Sequence, residues 1–133
     1  MNLNILIVDD DPNIREVLSM RVKDLDHQCR EVDSVTAAMA LLETERLDLI
    51  LTDYKMNDFD GLYFLHELKN KDYDALVVMM TAFASIDKAV SAVKEGAFDF
   101  IPKPFNSNQI RQLLQKVEKV VEMKNKQSQV KPM

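Results

Sequence analysis

Short apolar runs and helix-period segments alternate along this chain without a break, and that alternation leaves few folds open to it. Leu3 to Val8 (LNILIV), Leu47 to Leu51 (LDLIL), Ala75 to Met80 (ALVVMM) and Ala97 to Ile101 (AFDFI) read as buried strands, and the more polar His27 to Val32 as a strand near a sheet edge. Pro12 is pre-set for a first helical turn, and Ile14, Val17, Leu18, Val22 and Leu25 follow at helical spacing, which predicts a helix over residues 12 to 25. Ser34 is placed to cap a second helix whose face carries Val35, Ala38, Met39 and Leu42. Gly61 opens a third helix with Leu62, Leu65 and Leu68. Ser85 is placed to cap a fourth helix through Lys94, with Gly96 where a left-handed residue is wanted, and Asn106 or Ser107 to cap a fifth. Five strands and five helices in strict alternation predict an α/β fold with a parallel sheet covered on both faces. Right-handed crossovers favour the doubly wound, flavodoxin-like strand order 2-1-3-4-5.

In such a sheet the strand ends converge on one edge, where ligands bind. Asp9, Asp10, Asp53, Thr81 and Lys103 each stand just after an apolar run, so they are expected to form one site. A divalent cation such as Mg²⁺ takes oxygen ligands and is held by one or two carboxylates plus phosphate. Asp10 and Asp53 are placed to ligate it directly and Asp9 to hold a coordinated water. Asp53, the lone acid at the end of a central strand, is the expected nucleophile, because a carboxylate can take a phosphoryl group as an acyl phosphate. The metal, the Lys103 ammonium and the Thr81 hydroxyl would then each offset charge on a phosphoryl oxygen, and no general base is required. Without metal, the three carboxylates repel and at least one pKa should rise.

At 133 residues and 47% hydrophobic, the chain fits a single domain with a full core. A net charge of -5 argues against the domain gripping nucleic acid or an anionic membrane by itself. No apolar stretch approaches the roughly 20 residues of a membrane span and the chain opens directly on a strand, so a cytoplasmic location is expected. The single Cys29 reads as an ordinary thiol in a strand.

Four motifs, V-D-D-D-P at Val8 to Pro12, T-D-Y-K-M-N-D-F-D-G-L at Thr52 to Leu62, M-T-A-F-A-S at Met80 to Ser85 and G-A-F-D-F-I-P-K-P-F at Gly96 to Phe105, resemble the receiver domains of two-component response regulators. The resemblance covers residues 3 to 122 and places the receiver domain at 1–122, with 123–133 as an extension of the last helix or a tail. It implies a phosphoacceptor at Asp53, metal-binding acids at Asp9 and Asp10, a backbone carbonyl ligand from Lys55, a switch hydroxyl at Thr81, an essential Lys103 and an aromatic switch position at Phe100. It also implies a cis bond between Lys103 and Pro104 that turns the lysine toward the site, a histidine kinase or phosphotransfer protein as donor, and Mg²⁺ as cofactor. Residues 82 to 100 and the long last helix look similar to receivers that precede ATPase-driven transcription activators, and a homodimer through the fourth helix, fifth strand and fifth helix would follow.

Two departures carry consequences. The loop after the acceptor reads Met56-Asn57 where receivers usually carry Met-Pro, which predicts a looser loop, and Phe100 lacks a hydroxyl, so any switching there must work by packing. Among other residues, Asp11 is placed to cap the first helix, Lys55, Phe83 and Phe100 could tune acyl phosphate lifetime or partner choice, and Met39, Met79 and Met80 read as core. His27 and His66 are expected on the solvated surface, and Lys69 to Asp74 as a solvated loop. Ile110, Leu113, Leu114, Val117, Val120 and Val121 form a stripe longer than packing on the domain's own sheet needs, leaving part to pair with another chain or to fray.

Two other classes compete. A Mg²⁺-dependent phosphohydrolase with an aspartate nucleophile would need a second acid shortly after Asp53 for turnover. A flavodoxin-like cofactor domain would need a Gly-, Ser- or Thr-rich loop after the first strand, where Asp9, Asp10 and Asp11 stand instead.

Overall fold

The computed structural model describes residues 2–82 and 86–129. Five parallel strands, β1 (Asn4–Val8), β2 (Gln28–Val32), β3 (Leu49–Asp53), β4 (Leu76–Ala82) and β5 (Asp99–Lys103), lie in the order β2-β1-β3-β4-β5. They alternate with α1 (Pro12–Asp24), α2 (Val35–Leu42), α3 (Gly61–Asn70), α4 (Ile86–Lys94) and α5 (Ser107–Gln129). The predicted doubly wound sheet is therefore observed. β2 is an edge strand, as its polar sequence requires.

The near-continuous apolar runs of the central strands follow from burial on both faces. Ile5, Ile7, Leu49, Leu51, Val78, Met80 and Ile101 point to α1 and α5, while Leu6, Val8, Ile50, Val77 and Met79 point to α2, α3 and α4. On α1, Leu18 and Val22 face the sheet, whereas Val17, at 48% exposure, turns outward. Caps sit where short polar side chains precede α1, α2, α3 and α5. Asp11 accepts from Asn13 N, Ser34 from Ala37 N and Asp60 from Tyr63 N, and Asn106 and Gln109 cap each other's backbone N–H at the start of α5. Gly96 has φ +120°, the conformation expected after α4. The caps and tuning positions expected at Ser85 and Phe83 lie outside the described residues.

Several expectations need correction. The strands carrying Asp53, Thr81 and Lys103 each run two residues further than their apolar runs, and β5 begins at Asp99 rather than Ala97. Backbone pairing continues there as Asp53↔Met80, Thr81↔Pro102 and Ala82↔Lys103 after the side chains turn polar. Most of the α5 stripe is absorbed by the domain itself: Ile110, Leu113, Leu114, Val117 and Val121 are buried against the α1-side core, while Val120 is only half-buried. Only beyond Val121 does the helix leave the sheet, with Met123 exposed and Lys124 held 2.6 Å from Asp74. The segment expected as a solvated loop is thus partly helical and partly paired, since α3 runs to Asn70.

His27 is the clearest miss, because its side chain is 1% exposed. Nδ1 accepts from Leu3 N at 2.9 Å, which leaves the proton on Nε2, 2.8 Å from Glu118 Oε1 of α5. The ring joins the start of the sheet to the last helix. His27→Ala is expected to cost about 3 kcal/mol, an unpaired Leu3 N–H plus a cavity, as a lowered urea midpoint at unchanged slope. His66 stays half exposed, 3.3 Å from Glu95.

Candidate functional site

Side-chain parity along the strands builds the site. Asp53 continues the row of Leu49 and Leu51, Lys103 continues from Ile101, and Asp9 follows Ile5 and Ile7, so all three point to the α1 and α5 side of the sheet's C-terminal edge. Lys103 Nζ lies 2.9 Å from Asp9 Oδ2 and 3.2 Å from Asp53 Oδ2. Asp9, Asp10 and Asp53 each offer a carboxylate oxygen, and these lie within 4.8 Å of one another. Thr81, of opposite parity, reaches the same edge from the other face. It joins Asp53, Tyr54, Lys55, Ala82 and Lys103 in lining a cavity of about 240 Å³ beside the acids. Its Oγ1 donates one long bond, 3.3 Å, to Ala82 O. The five residues expected to converge do converge, and the Lys103–Pro104 bond is cis. Phe100 lies elsewhere, packed against the α2–α4 side core and lining a groove between β5 and α5.

The oxygen-only donor set fits a hard divalent cation, and the space beside Asp53 fits a phosphoryl group. Asp9 is fully buried and already bonded to Lys103 and, through Oδ1, to Asp11 N, which suits it to an outer rather than a direct ligand. Burial raises the Asp53 pKa, the Lys103 charge opposes that rise and the Asp9 charge adds to it, leaving it above the ordinary 3.8. Burial would lower the Lys103 pKa, but its hydrogen bond to Asp9 and the charges of Asp53 and Asp9 prevail and raise it above 10.5. The signs give a pH prediction. The folded state holds the Asp53 proton more tightly than the unfolded chain, so stability falls as pH rises from 3.8 through the raised value. Lys103 contributes stability fully below 10.5 that is lost as pH rises through its raised folded value. Urea midpoints across pH, with Asp53→Asn flattening the acidic limb, check the first of these.

Two further residues shape the site and were missed. Arg15 donates from Nη1 to Asp9 O, fixing the loop that carries Asp9 and Asp10. An arginine in the first turn of a helix opposes the helix dipole and wants a nearby acceptor, a signal that was available. Asp58 corrects the expectation of a loose loop at Asn57, for it accepts from Val35 N, Thr36 N and Thr36 Oγ1 at the start of α2. Burial pushes its pKa up, but these bonds and the one from Phe59 N together prevail and hold it at about 2.

Comparison with known proteins agrees with this geometry. Residues 5–115 match the response regulator receiver domain family. The chain is 38% identical over 109 residues, 82% of its length, to the response regulator protein PilR of Pseudomonas aeruginosa. It is 39% identical over 100 residues, 75% of its length, to the DNA-binding transcriptional regulator NtrC of Klebsiella pneumoniae. It spans only 24% and 21% of those two relatives. The crystal structure of NtrX from Brucella abortus in complex with ADP superposes with a TM-score of 0.90 at 29% identity, covering 100% of this chain and 31% of that one. With the sheet order, the acid cluster and the matched span in agreement, the chain belongs to the response regulator receiver domain family.

Proposed function

We propose that the chain is a phosphoacceptor signalling domain: Asp53 takes a phosphoryl group from a phosphohistidine of a histidine kinase or phosphotransfer protein, with Mg²⁺ required. The observation that carries this is Lys103 Nζ bridging Asp9 and Asp53 at 2.9 and 3.2 Å, beside a cavity lined by Asp53, Tyr54, Lys55, Thr81, Ala82 and Lys103. A carboxylate oxygen of Asp53 attacks phosphorus, the P–N bond breaks, and the imidazole leaves as an acyl phosphate forms. Lys103 neutralises charge on the transferred group and the Thr81 hydroxyl turns from Ala82 O to donate to another of its oxygens. Asp10, Asp53 and the Lys55 carbonyl would hold Mg²⁺, with Asp9 as an outer acid, and the ion would supply charge stabilisation in the transfer.

Pulling Thr81 toward the new phosphoryl group would shift the packing of Phe100, giving a two-state output on the face of α4, β5 and α5. Homodimerisation on that face is supported by exposed Val90 on α4 and the groove of about 240 Å³ between β5 and α5. Relatives named as transcriptional regulators support a role in transcription control, with DNA contacts made by other domains, since this one carries a charge of -5. Among the described residues, no helix is long and apolar enough to cross a membrane, which accords with a cytoplasmic role. Phosphohydrolase turnover is not favoured: Asp58 and Asp60, the nearest acids after Asp53, are both engaged as helix caps.

The test is intact mass after incubation with acetyl phosphate. A gain of one phosphoryl group with Mg²⁺ and none with chelator is the expected result; no gain in either condition would overturn the reading.

A further inference from the structure

We infer that Asp58 is a positioning residue for Mg²⁺ binding: by clamping the β3–α3 loop onto the start of α2, it holds the Lys55 carbonyl and Asp53 in a cation-ready geometry. This rests on the proposed reading of the acid cluster as a Mg²⁺ site.

The division of labour at the start of α2 is unusual. A helix leaves its first backbone N–H groups unsatisfied, and a local cap reaches only one of them. Here Ser34 Oγ takes Ala37 N at 3.0 Å, and Asp58, 22 residues further along than Thr36, takes Val35 N at 3.2 Å and Thr36 N at 2.9 Å. A third bond from Thr36 Oγ1, at 2.8 Å, and the positive end of the helix dipole favour the charged carboxylate. The loop is anchored at its far end as well. Gly61 N donates to Tyr54 O at 2.6 Å, Asp60 caps α3, and Lys55 pairs with Asp60 as an isolated bridge. Between these points Asn57 is exposed and supplies none of the rigidity of a proline. Asp58 is the polar attachment that ties this stretch to a neighbouring helix.

Holding Lys55 in place matters because a small, hard cation demands near-ideal geometry, and a ligand held on a backbone carbonyl can be positioned only by positioning the chain. Residues that orient ligands without touching the metal are typically worth about tenfold or more in affinity. Linkage makes the effect reciprocal: whatever the clamp gives the cation, the cation returns to the clamp.

The experiment titrates Mg²⁺ alone into the full chain by calorimetry, well below the unfolding temperature. Asp58→Ala is expected to weaken Mg²⁺ about tenfold, and Asp58→Asn, which keeps one acceptor oxygen, to weaken it less. Ser34→Ala damages the same helix end without touching the loop, so it should lower Tm while leaving affinity unchanged. Mg²⁺ should also slow amide exchange at Val35 and Thr36 in the wild type and not in Asp58→Ala. Wild-type affinity in Asp58→Ala, or an equal loss in Ser34→Ala, would overturn the inference. A wild type that binds no Mg²⁺ would instead overturn the site reading, and this inference with it.

Discussion

Asp53→Asn is expected to abolish the acid-labile, Mg²⁺-dependent label from acetyl phosphate, with no detectable mass gain under conditions that fully modify the wild type. An amide oxygen is too weak a nucleophile to displace a leaving group from phosphorus, and the neighbouring acids are committed elsewhere, Asp10 to the proposed cation site. Asp9 is fully buried, with one oxygen on Lys103 and the other on Asp11 N. Asp58 and Asp60 are committed to the starts of α2 and α3. The substitution should not unfold the protein. Burial and the Asp9 charge already disfavour ionised Asp53, so a neutral isostere removes that cost while Lys103 keeps Asp9 as its partner. At neutral pH the variant is expected to be at least as stable as the wild type by urea unfolding. A label that persists on it would remove Asp53 as the acceptor.

How much of this was legible follows from which interactions are local. Asp9, Asp53, Thr81 and Lys103 could be found because each follows a run of strand-forming residues, and in a parallel sheet strand ends must meet at one edge whatever the details of packing. The caps at Asp11 and Ser34 were equally readable, since each acts within three residues of itself. His27 was not, because its burial depends on α5 crossing the start of β2, a contact 91 residues away in sequence at Glu118 that no local pattern encodes. The end of the α5 stripe failed for a related reason. Sequence gives the width of an apolar face but not how far the sheet beneath it extends, and this sheet accepts residues through Val121. Asp58 was hidden because an acid in a polar loop looks solvated until its partner, a helix start two elements earlier, is placed in space.

Lys103→Met is the substitution expected to damage both stability and chemistry, by separable routes. The ammonium bridges two acids, and methionine keeps much of its length while removing all charge. Asp9 would be left as a fully buried carboxylate with a single backbone N–H donor, a situation that costs about 3 to 5 kcal/mol when one partner of a buried pair is removed. Transfer to Asp53 would slow by roughly 10² to 10³, the usual consequence of deleting a group aimed at developing charge. Mg²⁺ should recover part of the stability, because a cation bound among the acids offsets the same repulsion and binds only the folded state. Adding Asp9→Asn isolates the routes: neutralising the stranded acid should recover most of the lost stability while leaving labelling slow, giving a large coupling in a double-mutant cycle on unfolding and none on rate. Urea unfolding and the rate of mass gain with acetyl phosphate measure the two separately. A single Lys103→Met variant that labelled at the wild-type rate would show that the lysine acts on the fold alone.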